Sequence, residues 1–330
     1  MWMAARCSPD ARVLSVHPAF SPPAIVRSAH TQTMLGSRGR GRWVRQRAVG
    51  LLSATRSVVL DAAGGVRLEA RLSIQPVPAP GVILLHGWLG HADSSYVLSA
   101  GAELWNAGFS VVRLNLRDHG DTAHLNEEMF HSARIDEVTS AVEILAARHV
   151  DGPCALAGFS LGGNFALRVA RATGIDSVAV CPAVDPAATM TSIDTGLAVY
   201  RWFFLTKWRR ALARKQQAFP ERYDFSAASR LSTVGALTEL FVRDHTEFAS
   251  TGAYLDAYCL TGSALRGTRA TILYAEDDPV IPAAGFQDLP DTIDCVATEH
   301  GGHCAFIERP WLPAWTDRYL VRHFQSRLAN

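Results

Sequence analysis

The sequence predicts an α/β fold with a mostly parallel central sheet, helices on both faces and a helical cap inserted after the sixth strand. Three observations carry that prediction. Between residues 81 and 181, short apolar runs alternate with helical patterns, the rhythm of repeated strand–helix units and so of a parallel sheet. One run, Cys154-Ala155-Leu156-Ala157, passes through Gly158-Phe159-Ser160-Leu161-Gly162-Gly163 directly into a helical stretch. After Pro182 the rhythm breaks and resumes only at residue 270, which marks 183–265 as an insertion. A chain of 330 residues suits one large domain with such an insertion, or two small domains.

Residues 1–55 are rich in Pro, Gly and Arg and poor in periodic pattern, so they read as an arm packing on a core built from the later residues. Arg38, Arg40, Arg42, Arg45 and Arg47 cluster in it. With no binding fold or interleaved aromatic series beside them, they read as a solvated loop rather than a nucleic-acid site. Strand-like runs at 56–60 and 66–74 flank Ala63-Gly64-Gly65, a hairpin signal. Gly81–Leu85 reads as a buried strand, 94–107 as a helix ending before Gly108, and 109–114 as another strand. Ile135, Val138, Val142 and Leu145 share one face of a helix over 132–149. The strand and helix around Ser160 come next, then a strand at 177–181. The insertion 183–265 holds several helix-like pieces and no strand pattern. Strands at Ala270–Ala275 and Ile293–Thr298 and a last helix over 311–328 complete a core of 56–182 and 266–330. Ligands of such sheets bind at the carboxyl ends of the strands, so a cap over that edge would roof the pocket.

Composition narrows the function. The chain is 48% hydrophobic with a net charge of +1, which supplies a sizeable core and no global pull toward nucleic acid. Cys7, Cys154, Cys181, Cys259, Cys295 and Cys304 are scattered, without a CxxC pair or metal-ligand spacing, and fit a reducing compartment. Residues 1–16 lack the apolar core of a signal peptide, and no run of about 18 apolar residues offers a membrane span. The expectation is a cytoplasmic protein with neither metal nor cofactor. No P-loop or dinucleotide fingerprint accompanies any strand.

The chemistry centres on Ser160. A turn from strand straight into helix strains its central residue, and Gly158 and Gly162 allow the neighbouring elements to approach. Ser160 therefore stands above the sheet at a helix N-terminus as a candidate nucleophile. A serine hydroxyl needs a base, and the base needs an orienting group. Serines of this kind take their partners in the order Ser, Asp or Glu, His. Downstream lies Glu276-Asp277-Asp278-Pro279-Val280-Ile281-Pro282, where Asp278 is the preferred orienter and Asp277 the alternative. Farther on, Glu299-His300-Gly301-Gly302-His303-Cys304 supplies His303 as the base, with His300 as competitor. Backbone donors for an oxyanion are expected from Leu161 and from Trp88, in the loop His86-Gly87-Trp88-Leu89-Gly90. Arg117, Asp118, His119, Asp121, His124 and His131 match no common metal motif and read as a polar loop at the pocket rim.

These stretches resemble the α/β-hydrolases, and more narrowly their YheT-type branch. The resemblance rests also on His17-Pro18-Ala19-Phe20 with His30-Thr31-Gln32-Thr33, on Ser94-Ser95-Tyr96 and on His131-Ser132, and runs from about residue 17 to the last helix. One departure is Arg117-Asp118-His119-Gly120, where the branch usually has Arg-Gly followed by Cys or His, so substrate preference does not carry over. The resemblance implies the α/β-hydrolase fold and carboxylester hydrolysis, lipid ester hydrolysis or alcohol acyl transfer.

The leading expectation is a serine carboxylesterase acting on a small-molecule ester. Thioesterase and acyltransferase activity differ only in leaving group or acceptor, and a ligand-binding module using the same pocket is the non-enzymatic alternative. Within the cap, Leu197, Ala198, Val199, Tyr200, Trp202, Phe203, Phe204 and Leu205 precede the basic Lys207, Arg209, Arg210, Arg214 and Lys215. This order supports two expectations. Either the aromatic part packs on the core while the basic end stays solvated, or the aromatic part lines an acyl pocket and the basic end touches a lipid surface.

Overall fold

A computed structural model describes residues 19–328. The readings made of residues 1–16, Cys7, His17 and Pro18 lie outside them. Eight strands form one sheet: β1 (Thr55–Ala62), β2 (Val66–Ser73), β3 (Gly81–Leu85), β4 (Ser110–Leu114), β5 (Cys154–Phe159), β6 (Ser177–Val180), β7 (Ala270–Ala275) and β8 (Ile293–Thr298). Their spatial order is β1-β2-β4-β3-β5-β6-β7-β8. β1–β2 and β2–β4 pair antiparallel, and every later pair is parallel. The hairpin turns through Gly64 and Gly65, both at positive φ, as the glycine-centred signal predicts.

All five residues of β3 and of β4 are buried, as strands covered on both faces must be. Alternation divides them. Val82 and Leu84 face one apolar cluster with Val97, Leu104, Leu320 and Phe324, from α4 (Ser95–Asn106) and α11 (Trp315–Leu328). Ile83 and Leu85 face the other, with Val138 and Leu145 of α5 (Asp136–His149) and Phe165 and Leu167 of α6 (Leu161–Thr173). Helix α5 begins four residues later than the periodicity suggests, because the preceding backbone has other partners. The Ser132 amide donates to the Tyr254 hydroxyl, and the Ser132 carbonyl accepts from the buried Arg168.

Before β1 the described residues include the short α-helices α1 (Ala29–Met34), α2 (Gly41–Arg47) and α3 (Val49–Ser53). Val44, Ala48 and Leu51 are buried in the α4 face of the core. The expectation of a solvated arginine loop is corrected for Arg40 and Arg47, while Arg42 and Arg45 are exposed. Arg40 is buried and donates to the carbonyls of Pro310 and Leu312, while Arg47 donates to the carbonyl of Trp311 and to Ser99. Guanidinium groups that satisfy orphan carbonyls 270 residues away tie the arm to the entrance of α11.

Between β6 and β7 lie α7 (Pro186–Thr195), α8 (Ala198–Ala218), α9 (Val234–His245) and α10 (Thr251–Asp256), with no strand among them. Leu205, Trp208, Leu212, Leu237 and Phe241 join the apolar cluster on the α5–α6 face. The expected solvation of the basic end of α8 holds for the exposed Arg210 and Arg214 and is corrected for Lys215 and Arg209. Lys215 is buried and donates to Asp118 and to the carbonyls of Ala123, Asn126 and Glu128. An ammonium removed from water needs acceptors for all three of its N–H donors. Arg209 likewise donates to the carbonyls of Ala228 and Leu231. Among the described residues, no helix is long and apolar enough to cross a membrane.

Candidate active site

Strand β5 ends at Phe159 and α6 begins at Leu161, leaving Ser160 alone in the turn at φ 55° and ψ −120°. A side chain held in that region is strained, and the packing around it shows why it stays there. A β-carbon on Gly158 would lie 2.1 Å from the Gly162 carbonyl oxygen, and one on Gly162 would lie 2.4 Å from the carbonyl oxygens of Leu85 and His86. Only glycines allow β5, α6 and the end of β3 to close on the serine.

The two loops after β7 and β8 converge on it. Asp278 Oδ1 accepts from the amides of Val280 and Ile281, which fixes the carboxylate plane. Its Oδ2 lies 2.9 Å from His303 Nδ1, and His303 Nε2 lies 3.0 Å from Ser160 Oγ. Burial alone pushes the His303 imidazole down; the Asp278 carboxylate, with Cys304 beside it, outweighs burial and holds it well above its ordinary value. Asp277 points elsewhere. It accepts from the Gly302 amide and lies 3.6 Å from His300, which is remote from Ser160 in the hydrogen-bond network. The structure thus brings Ser160, His303 and Asp278 together, and gives Asp277 and His300 the shaping of the histidine loop.

That loop is braced from behind by α1. The Thr33 hydroxyl accepts from the His303 amide, and the Gln32 amide side chain exchanges two hydrogen bonds with the backbone of Ile307. Gly302 packs so close that a β-carbon would meet the Ala29 carbonyl at 2.5 Å. Phe20 packs against the rings of Phe306 and Trp315. His30 bonds the Tyr200 hydroxyl of α8.

The loop after β3 is set by its neighbours. The Gly87 amide donates to the Tyr96 hydroxyl, and the Leu89 amide, in a residue at φ 58°, donates to His119 Nε2. His119 Nδ1 bonds the Arg117 carbonyl, and burial drives its pKa to about 4, so the ring is neutral and can accept from Leu89. With the amides on either side occupied, those of Trp88 and Leu161 have no hydrogen-bond partner among the described residues. His119 is a residue whose role sequence reasoning missed. Its spacing fits no motif because its partner is a backbone amide 30 residues away. The rest of the supposed rim loop is mostly a set of buried ties: Arg117 to Glu137, Asp118 to Lys215, with Asp121 and His124 exposed.

Ser160 and Leu161 open into an apolar cavity of about 110 Å³. Trp88, Phe130, Met190, Phe204, Trp208 and Phe241 dominate its wall, and His131 presents a buried imidazole to it. From the aromatic stretch of α8 only Phe204, followed by Trp208, reaches this wall; Leu197, Val199 and Trp202 face solvent. A second, more polar cavity of about 420 Å³ shares Trp88, Phe130, Trp208 and Phe241 with it and has Lys207, Arg210 and Arg214 in its wall.

A parallel sheet with a strained serine between strand and helix defines the α/β-hydrolase class of enzymes. The model of the alpha/beta hydrolase family matches residues 82–312, most of this chain, and the chain belongs to that family. Its resemblance to the YheT-like branch extends over nearly the whole length. It is 26% identical to the protein named "Putative esterase YheT" of Escherichia coli (strain K12), over 96% of this chain and 98% of that protein. It is 24% identical to the embryogenesis-associated protein EMB8 of Picea glauca, over 76% of this chain and 59% of that protein. Among solved structures, an esterase of Pyrobaculum calidifontis covers 93% of this chain and 97% of its own at 17% identity and a TM-score of 0.54. A serine hydrolase of Cycloclasticus zankles covers 84% of this chain and 100% of its own, at 15% identity and a TM-score of 0.57, a likeness of fold.

Proposed function

We propose that the protein is a serine carboxylesterase with Ser160 as nucleophile, His303 as base and Asp278 as orienter. One observation carries the reading: the unbroken chain Ser160 Oγ–His303 Nε2 at 3.0 Å and His303 Nδ1–Asp278 Oδ2 at 2.9 Å, beside an apolar pocket. Ser160 Oγ attacks the ester carbonyl as its proton passes to Nε2. The oxyanion that forms lies between the amides of Leu161 and Trp88, donors already fixed by α6 and by the Tyr96–His119 clamps on the adjacent residues. His303 returns the proton to the leaving alkoxide, and water then releases the acyl group by the same route in reverse. Thioester cleavage or acyl transfer would share the first half and differ in leaving group or acceptor. A fluorophosphonate probe should form one adduct, mapped by peptide mass to Ser160; no adduct, together with no turnover across an ester panel, would favour a ligand-binding module instead.

The pocket wall argues for an acyl chain rather than acetate alone. Each methylene buried contributes up to about 0.8 kcal/mol, so kcat/KM for p-nitrophenyl esters should rise by up to about fourfold per carbon until the pocket is full. A steady fall from acetate onward would leave a small-ester enzyme.

The pH profile carries a second expected outcome. Ser160 can lose its proton only to neutral His303, and the imidazole is held above its ordinary 6.5. Activity is therefore absent at low pH and should appear as the pH rises through that elevated value. The acid limb of kcat/KM reports it. Cys304→Ala removes one of the groups favouring the imidazolium and should move the limb to lower pH. A limb unmoved by that change would remove the thiol from the electrostatics of His303.

A further inference from the structure

We infer that Cys181, His303 and Cys304 form a binding site for a thiophilic d¹⁰ metal ion, Zn²⁺ or Cd²⁺, and that occupancy silences Ser160. Cys181 follows β6 and Cys304 follows His303, 123 positions apart in sequence with no ligand-like spacing. The fold nonetheless brings the two sulfurs and a His303 ring nitrogen within 4.8 Å of one another, and no other such trio occurs among the described residues. Both cysteines sit in left-handed backbone, Cys181 at φ 45° and Cys304 at φ 55°. Strain of that kind concentrates where a side chain must be aimed. Their present partners are weak: Cys181 Sγ lies 3.9 Å from the Gly302 carbonyl, Cys304 Sγ 3.5 Å from the Val180 carbonyl and 4.0 Å from His303 Nε2.

The donor set suits the ion. Zinc–sulfur bonds of about 2.3 Å and zinc–nitrogen bonds of about 2.0 Å place tetrahedral ligand atoms about 3.5–3.8 Å apart, so closure needs movements of roughly an ångström. Two thiols lose their protons on binding, and the two thiolates neutralise the dication, so no net charge is added to a buried site. Metal-binding histidines commonly give their other ring nitrogen to a carboxylate, and His303 Nδ1 already faces Asp278 at 2.9 Å. Ser160 Oγ lies 3.0 Å from the same Nε2 and lines the apolar pocket. An ion on Nε2 occupies the lone pair that accepts the serine proton. The silencing rests on the assignment of His303 as base; the binding does not.

The test uses metal-stripped protein with a phosphine reductant, so that disulfide formation is excluded. One equivalent of Cd²⁺ should raise the ultraviolet thiolate-to-metal band, and Zn²⁺ should displace it. Ser160→Ala retains every protein ligand and should show the same band, which keeps the binding measurement independent of turnover. Micromolar Zn²⁺ should lower ester hydrolysis by at least about tenfold in the parent, and Cys181→Ser or Cys304→Ser should cut that ratio to about twofold or less. Reading the ratio with and without zinc divides out any change in basal rate. Absence of the band in the parent, or an unchanged inhibition ratio in both variants, overturns the site; the band in the parent decides this even if a variant fails to fold. A stoichiometric band with no inhibition would overturn the silencing.

Discussion

Ser160→Ala should lower kcat for a short aryl ester by about four to six orders of magnitude, with thermal stability unchanged. The expected loss is large because, in the proposed mechanism, the hydroxyl is the one group that forms a bond to the acyl carbon. What survives is the pocket and two backbone amides, which bind the ester without attacking it. The fold should tolerate the change. The strain at φ 55° belongs to any residue with a β-carbon, and alanine keeps that carbon while dropping only the oxygen. Steady-state rates and a melting curve on the same preparation check both halves. Activity within about tenfold of the parent would remove Ser160 as nucleophile.

Asp278→Asn should reduce kcat by up to about four orders of magnitude, while Asp277→Asn should cost far less. The hydrogen bonds give the reason. Oδ1 of Asp278 is committed to the amides of Val280 and Ile281, so an asparagine must keep its oxygen there and turn its NH₂ toward His303. That NH₂ donates to Nδ1, which forces the ring proton onto Nε2, the nitrogen that must be free to accept from Ser160. Asp277 accepts from the Gly302 amide, a task an asparagine oxygen performs equally well. The opposite ranking of the two variants would reassign the orienter.

Much of this was legible in the sequence for a plain reason. Buried parallel strands are short apolar runs, and Gly81–Leu85, Ala270–Ala275 and Ile293–Thr298 have the bounds their composition suggests. That Ser160, Asp278 and His303 would meet was legible because each follows a strand and the order of such groups along the chain is constrained. Helix α8 was legible as helix and not as environment. Hydropathy does not distinguish a solvated lysine from Lys215, whose acceptors come from Asp118, Ala123, Asn126 and Glu128, nearly 90 or more residues earlier. The helices before β1 have six, seven and five residues, too few to repeat a period. His119 and the Cys181–Cys304 pair show the same limit: their significance is a distance in space between residues whose separation in sequence carries no pattern.

The bracing of the histidine loop by α1 bears on where one may cut this protein. The family match spans 82–312, yet Gln32 and Thr33, which hold Ile307 and His303, lie well upstream of it. A fragment trimmed to the matched core would retain the serine, the aspartate and the histidine, and would lose the strut that sets the histidine's backbone. The stretch that the family model matches is therefore smaller than the unit that holds the histidine loop in place. Chimeras that exchange cores between relatives should carry their own N-terminal segments with them, since here α1 and the histidine loop are one mechanical part.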